Sequence, residues 1–240
     1  MVNSRRSLPR VDGKRMKQPN LAMRAFNATE QSLRRSAGSE SQVLPNIYLD
    51  DVNIAVWERE LPEMLTLSSE KILEKNPNLE ISLVTTQKEA FASVVKAIGS
   101  EPEAIEMGED VAKLVDMFCC LFELKRVGLR LTVLDRAMCP RFHVDRIPCR
   151  LITTYKGAAT EWLPQHSADR SKLGIGNEGK SDEQSGIFGS ARDIRQLSEG
   201  DVALLKGEAW EGNQGGGLIH RSPGLTSEAR RLLLTLDFVD

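Results

Sequence analysis

The sequence is short of histidine, cysteine and aromatic residues. Only three histidines occur in 240 residues, His143, His166 and His220, alongside four cysteines, two tyrosines and three tryptophans. Any imidazole-based metal site must draw on that small set. No run of about 18 apolar residues is present, which excludes a membrane-spanning helix, and the first 40 residues hold no continuous apolar segment of the secretory kind. The chain is therefore expected to be cytoplasmic, with its cysteines as thiols or ligands rather than a disulfide framework. The stretch "EGNQGGG" is glycine-rich but has no G-x-x-x-x-G-K-[ST] spacing, so it reads as a flexible turn and not a phosphate loop.

Basic residues are scarce outside the N-terminus. The first 40 residues carry nine Lys/Arg against three Asp/Glu, and the other 200 carry 23 against 31. Residues 1–40 read as a basic, disordered arm and residues 41–240 as one α+β domain. No nucleic-acid motif follows the arm, so a nucleic-acid partner is not expected.

Within that domain the hydrophobic period changes once. Residues 41–128 read as mainly helical with some strand. "TTQKEAFASVVKAIGS" offers a capping box, Thr86 with Glu89, an apolar face of Phe91, Val94, Val95 and Ile98, and Gly99 as a stop. A second helix follows, with Ser100 and Glu103 as its box, Pro102 in its first turn and a stripe through Val111, Leu114, Val115, Phe118 and Leu121. Cys119 and Cys120 fall on this stretch and are assigned to the core. "VNIAVWERE" reads as a strand. From residue 129 onward "LRLTVLD", "RLITTY", "ATEWL", "DVALLKG", "GLIH" and "RLLLTLDF" are short, rich in β-formers and separated by turn residues, which predicts a β-barrel core over 129–240. A polar segment, 164–190, interrupts it as a long loop and contains His166, expected at the surface.

The chemistry concentrates in "RFHVDR". On a strand, His143 and Asp145 share a face while Val144 points away, so an imidazole nitrogen and a carboxylate oxygen can reach one ion. Cys139 and Cys149 bracket the pair at the same parity. A thiolate joining it would favour zinc; otherwise both are buried, inert thiols. Arg141 and Arg146 flank the pair and either steer an anion or form surface salt bridges. Trp162 and Trp210 are read as core residues rather than a pocket mouth.

The order of "RFHVDR", "GAATEWLP", "GDVALLKGEAW", "GLIHRSP" and "RLLLTLDF" over residues 139–240 resembles that of the iron(II) and 2-oxoglutarate dioxygenases. The resemblance implies a helical N-terminal part packed on a C-terminal double-stranded β-helix, a cupin-like jelly roll. It also implies His143, Asp145 and His220 as metal ligands, Fe(II) and 2-oxoglutarate as cofactors, and Arg231, eleven residues past His220, as the clamp for the co-substrate carboxylate. Period two places Arg231, Leu233 and Thr235 on one face; "GAATEWLP" departs from the family in lacking a second glycine, and Leu233 stands where many members carry a hydroxyl. Over residues 45–240 the same motifs look like the bacterial family catalogued as domain of unknown function 1826, which implies a metallochaperone GTPase as a partner. Three functions stay open: an Fe(II)/2-oxoglutarate oxygenase acting on a small molecule or protein; a non-catalytic zinc- or iron-binding protein of metal homeostasis; and a metal-dependent hydrolase with Glu161 or Glu208 as general base.

Overall fold

The computed structural model describes residues 34–239. The basic arm expected over 1–40 lies outside the described residues up to position 33. Its last part departs from that reading, because Arg34–Gly38 forms a strand, β1, paired in parallel with β2 (Val52–Trp57). The chain then alternates helices and strands: α1 (Glu63–Lys75), β3 (Glu80–Thr85), α2 (Ala90–Ile98), α3 (Pro102–Phe122), β4 (Val127–Leu134), β5 (Cys149–Lys156), β6 (Glu161–Leu163), β7 (Arg195–Gln196), β8 (Val202–Lys206), β9 (Ile219–Arg221) and β10 (Arg231–Asp237). This is an α+β architecture with one large sheet.

That sheet has seven strands in the order β1-β2-β8-β5-β10-β4-β3, and a second sheet has three in the order β7-β6-β9. Strands β2 and β3 come from the stretch read as mainly helical, so both halves of the chain build the same sheet. Its central strands are covered on both faces. Leu232, Leu234 and Leu236 of β10 join Leu151, Tyr155, Val202 and Leu204 in a core shared with Ile72, Val94, Val111, Leu114, Val115 and Phe118 of the helices. The alternate residues Leu233, Ile152, Ala203 and Leu205 meet Trp162 and Leu218 of the small-sheet side in a separate cluster. Burial of both faces is why these strands read as continuous apolar runs rather than alternating ones.

The helix caps differ from expectation. Thr86 donates its hydroxyl to the Glu89 carboxylate at 2.9 Å, and α2 begins only at Ala90. At α3 the Glu103 carboxylate pairs with Lys75 of α1. A charge-assisted bond between helices outcompetes a local bond to a backbone amide. Cys119 is buried as expected but Cys120 is exposed, because successive helical residues are about 100° apart and one face alone meets the core. No described helix is long and apolar enough to cross a membrane.

One polar clamp crosses the helix-side core. Tyr155, wholly buried on β5, donates to Asp110 of α3 at 2.7 Å, and Arg59 grips the same carboxylate through two nitrogens at 2.7 and 2.9 Å. Burial, foremost, pushes the Tyr155 hydroxyl well above its ordinary pKa, so it stays a donor. Tyr155→Phe removes one bond and leaves Asp110 held by Arg59. The expected loss is about 1–2 kcal/mol, read from urea unfolding as a lower midpoint at unchanged slope.

Candidate metal centre

His143 and His220 are brought together by backbone pairing. Each donates its amide to the other's carbonyl at 3.0 Å, as an isolated antiparallel bridge that extends the small sheet beyond β9. Residues directly opposite in such a pair project to the same face. Their ring centroids are 4.5 Å apart. Ile219 and Phe142, one residue away on each chain, point instead into an apolar cluster with Leu163 and Ile187.

Asp145 approaches differently from the way the strand reading placed it. Residues 139–148 form no strand apart from the single bridge at His143, and Pro140 and Pro148 bring no N–H to a ladder. Two tertiary contacts fix the position instead. The Asp145 carbonyl accepts from the Glu208 amide at 2.9 Å. Its carboxylate lies 2.9 Å from Arg150, whose other nitrogens grip Asp237 at 2.7 and 3.0 Å. Gly207 permits this approach, since a Cβ there would stand 2.0 Å from the Ile147 carbonyl oxygen and 2.9 Å from that of Asp145.

The three side chains present ligand atoms within 4.8 Å of one another. His143 Nδ1 sits 2.9 Å from the Arg141 carbonyl, and His220 Nδ1 sits 3.1 Å from the Leu218 carbonyl. A carbonyl only accepts, so each Nδ1 carries the proton and each Nε2 turns a lone pair inward. Those Nε2 atoms face Asp145 at 3.8 and 3.5 Å. Both separations are longer than an ordinary hydrogen bond. The buried Asp145 Oδ2 has no hydrogen-bond partner, its approach to Arg150 being close but misaligned. Two imidazole nitrogens and a carboxylate thus converge beside one guanidinium, Arg150, with no hydrogen bond joining the three, a set of atoms that a divalent cation satisfies.

Arg231 is the first residue of β10, almost fully buried on the face toward the small sheet, with Leu233 and Thr235. Its Nη2 donates to Thr154 at 3.0 Å and Thr160 at 2.7 Å, and among the described residues no carboxylate pairs with it. Burial pulls its pKa down to about 10, which leaves it a cation at neutral pH. Both threonines that hold Arg231, Thr154 and Thr160, were missed by sequence reasoning. Gly157 lets the end of β5 pass beside Arg231: with φ at 93°, a Cβ there would lie 2.3 Å from the Arg230 carbonyl oxygen.

The remaining candidates are placed elsewhere. Cys139 is exposed and Cys149 is buried in the helix-side core, so they do not share a face and neither joins the donor cluster. Burial, above all, raises the Cys149 thiol far above its ordinary value. Arg141 reaches back to Asp182 and the Lys180 carbonyl, while Arg146 and His166 are exposed. Trp162 is core, and Trp210 packs on Tyr48 and Phe122. Glu161 is paired with Arg221 at 2.7 Å and Glu208 with Arg170, so the two general-base candidates are both engaged by guanidinium groups. The "EGNQGGG" turn wraps Glu208, to which Gly215 and Gly217 donate their amides at 2.8 and 3.2 Å, rather than hanging free.

Burial, as the largest cause, lowers the His220 pKa from 6.5 to about 4. As pH falls below 6.5 the unfolded chain binds a proton that the folded one refuses until about pH 4. The metal-free protein should therefore lose stability across that window, at up to about 1.4 kcal/mol per pH unit. Unfolding in the presence of chelator, wild type beside His220→Gln, should give the wild type the steeper fall; parallel curves would contradict the assignment.

Among solved structures the chain is similar to a dioxygenase for auxin oxidation in rice, at TM-score 0.44 and 11% identity over 77% of this chain and 72% of that one. It is similar to HygX from Streptomyces hygroscopicus with nickel and 2-oxoglutarate bound, at 0.42 and 13% over 82% and 85%. A prolyl-4-hydroxylase from Pseudomonas putida gives 0.41 and 10% over 82% and 96%. Overlaps of this quality carry nothing about the chemistry of this chain. No curated protein matches it in sequence. One family does match, over residues 38–237, and the chain belongs to it: the family described as protein of unknown function, DUF1826.

Proposed function

We propose that His143, Asp145 and His220 hold a divalent metal, and that the protein is a non-haem Fe(II) oxygenase of the 2-oxoglutarate type. The observation that carries this reading is the convergence, within 4.8 Å, of ligand atoms from His143, Asp145 and His220, with both Nδ1 atoms turned to backbone carbonyls and no hydrogen bond on the inward Asp145 oxygen. Two imidazoles and one carboxylate on one side of a metal leave other positions open, the arrangement suited to iron that must also take an oxo-acid and dioxygen. When bound, iron supplies the dioxygen chemistry, and the protein's part is to bind, orient and shield.

Arg231 supports the co-substrate assignment. A buried guanidinium with only two threonine hydroxyls for partners is costly to keep, and a carboxylate would compensate it. Thr154 and Thr160 hold the guanidinium plane in one orientation. On this reading β4, β10, β5 and β8 of the large sheet wind with His143, β9, β6 and β7 of the small one as a double-stranded β-helix, whose interior face bears Arg231.

A second reading, a non-catalytic zinc- or iron-binding protein of metal homeostasis, rests on the same three ligand atoms lying within 4.8 Å of one another and needs no oxo-acid.

Metal content of anaerobically purified protein, followed by 2-oxoglutarate titration of the iron form, separates the two. The oxygenase reading expects about one iron per chain, lost in His143→Ala and His220→Ala, and a visible charge-transfer band when the oxo-acid is added. Zinc without a band selects the second reading, and no metal in any preparation overturns both.

Arg231→Met should retain iron yet weaken the oxo-acid by about 100-fold, the loss of roughly 3 kcal/mol from a charge-assisted pair. The same variant should be as stable as wild type or more so by urea unfolding, because an uncompensated buried cation has been replaced by an apolar chain.

A further inference from the structure

The long loop 164–190 meets the chains that carry the imidazoles at several residues, and the most buried polar one is Asp182, in the short helix Asp182–Ser185. Asp182 is 5% exposed, and a carboxylate so buried must be compensated. Its partners are the two chains that carry the imidazoles. Oδ2 accepts from the Phe142 amide at 2.8 Å and from Arg221 Nη1 at 3.0 Å, and Oδ1 lies 3.3 Å from Arg141 Nε. Phe142 directly precedes His143, and Arg221 directly follows His220.

In the antiparallel bridge His143 lies opposite His220, so Phe142 and Arg221 form the next rung. The Arg221 guanidinium lies 4.3 Å over the Phe142 ring. The carboxylate of Asp182 closes this rung from outside the sheet. Its contribution is large because the bridge itself is small: a single exchange of two backbone hydrogen bonds, each worth about 1 kcal/mol net, with no strand on the His143 side to reinforce it. The other backbone ties on residues 139–148 run to Ser222, Glu208 and Gly207, and Arg221 also pairs with Glu161; among the described residues Asp182 alone bonds both the Phe142 amide and the Arg221 guanidinium.

We infer that Asp182 is a positioning residue for the imidazole pair, a strap through which the loop sets the spacing and orientation of His143 and His220 without touching a metal. Its relevance to metal chemistry rests on the reading of the site as a metal centre; its effect on the imidazole pair does not. Outer residues that orient imidazole ligands typically change metal affinity by about 10–100-fold when removed. Glu183 provides the control. It pairs with the same Arg221 nitrogen at 3.1 Å but is largely exposed and has no bond to Phe142, so it does not link the two chains.

The test uses the full chain and Co(II) alone as the probe, in wild type, Asp182→Ala, Asp182→Asn and Glu183→Gln. Asp182→Ala should weaken Co(II) at least about ten-fold and alter its visible spectrum, and Asp182→Asn, which can still accept from Phe142, should fall between it and wild type. Glu183→Gln should match wild type in both respects. In the metal-free proteins the amides of His143 and His220 should exchange with solvent at least about ten-fold faster in Asp182→Ala, with the amides of β4 unchanged. Should Asp182→Ala fail to fold, Asp182→Asn carries the same comparison. Wild-type affinity, spectrum and exchange in the Asp182 variants would overturn the inference. If wild type takes up no Co(II), the metal reading fails, and the exchange rates by themselves decide the strap.

Discussion

Two backbone hydrogen bonds between His143 and His220 hold the candidate centre together. They put both imidazoles on one face of the small sheet, and the carbonyls of Arg141 and Leu218 then set the Nδ1 protons so that both lone pairs point at Asp145. Everything else near the site serves this arrangement. Arg150 and the Glu208 amide deliver the carboxylate, Gly207 clears its path, and Asp182 braces the rung beside the bridge. The result is three ligand atoms held within 4.8 Å beside one guanidinium, with the His220 pKa displaced by burial, a combination typical of functional sites.

Arg231, buried at the start of β10, is a second group of this kind. A guanidinium buried with two hydroxyls and no acid destabilises the fold, and the doubly covered sheet tolerates it because its other positions are filled by leucine, isoleucine and valine. The helix layer supplies the rigidity. The Arg59–Asp110–Tyr155 clamp ties α3 to β5, the strand that carries both Arg150 and Thr154. Arg231, Arg150 and Thr154 thus sit on two buried central strands of the large sheet, whereas His143 and Asp145 lie on a segment with no strand beyond one bridge.

How much of this was legible in the chain differs from residue to residue. The alternation Arg231, Leu233, Thr235 against Leu232, Leu234, Leu236 needs only period two, and it placed Arg231 on the inner face. The apolar runs of β5, β8 and β10 declared themselves through β-branched and leucine content. By contrast, strand parity failed around Cys139, His143, Asp145 and Cys149, because two prolines and a single bridge replace the strand that parity assumes. Asp145 reaches His143 and His220 all the same, through contacts with residues 150 and 208 that no local pattern encodes. The capping boxes failed for a related reason, since Glu103 found a cation on another helix.

The sequence by itself determined which donors exist: three histidines, an H-x-D pair, a late arginine, and strands apolar enough to be buried on both faces. Those are matters of residue type and short period, and local chemistry settles them. Only the tertiary structure decided that β2 and β3 complete the large sheet, that Cys139 and Cys149 stand apart from the centre, that Arg150 and Asp182 hold the chains of the centre, and that Thr154 and Thr160 hold Arg231. Each of these depends on register between segments distant in the chain. Such pairings are selected by the summed burial and hydrogen bonding of the whole fold, which no window of sequence contains.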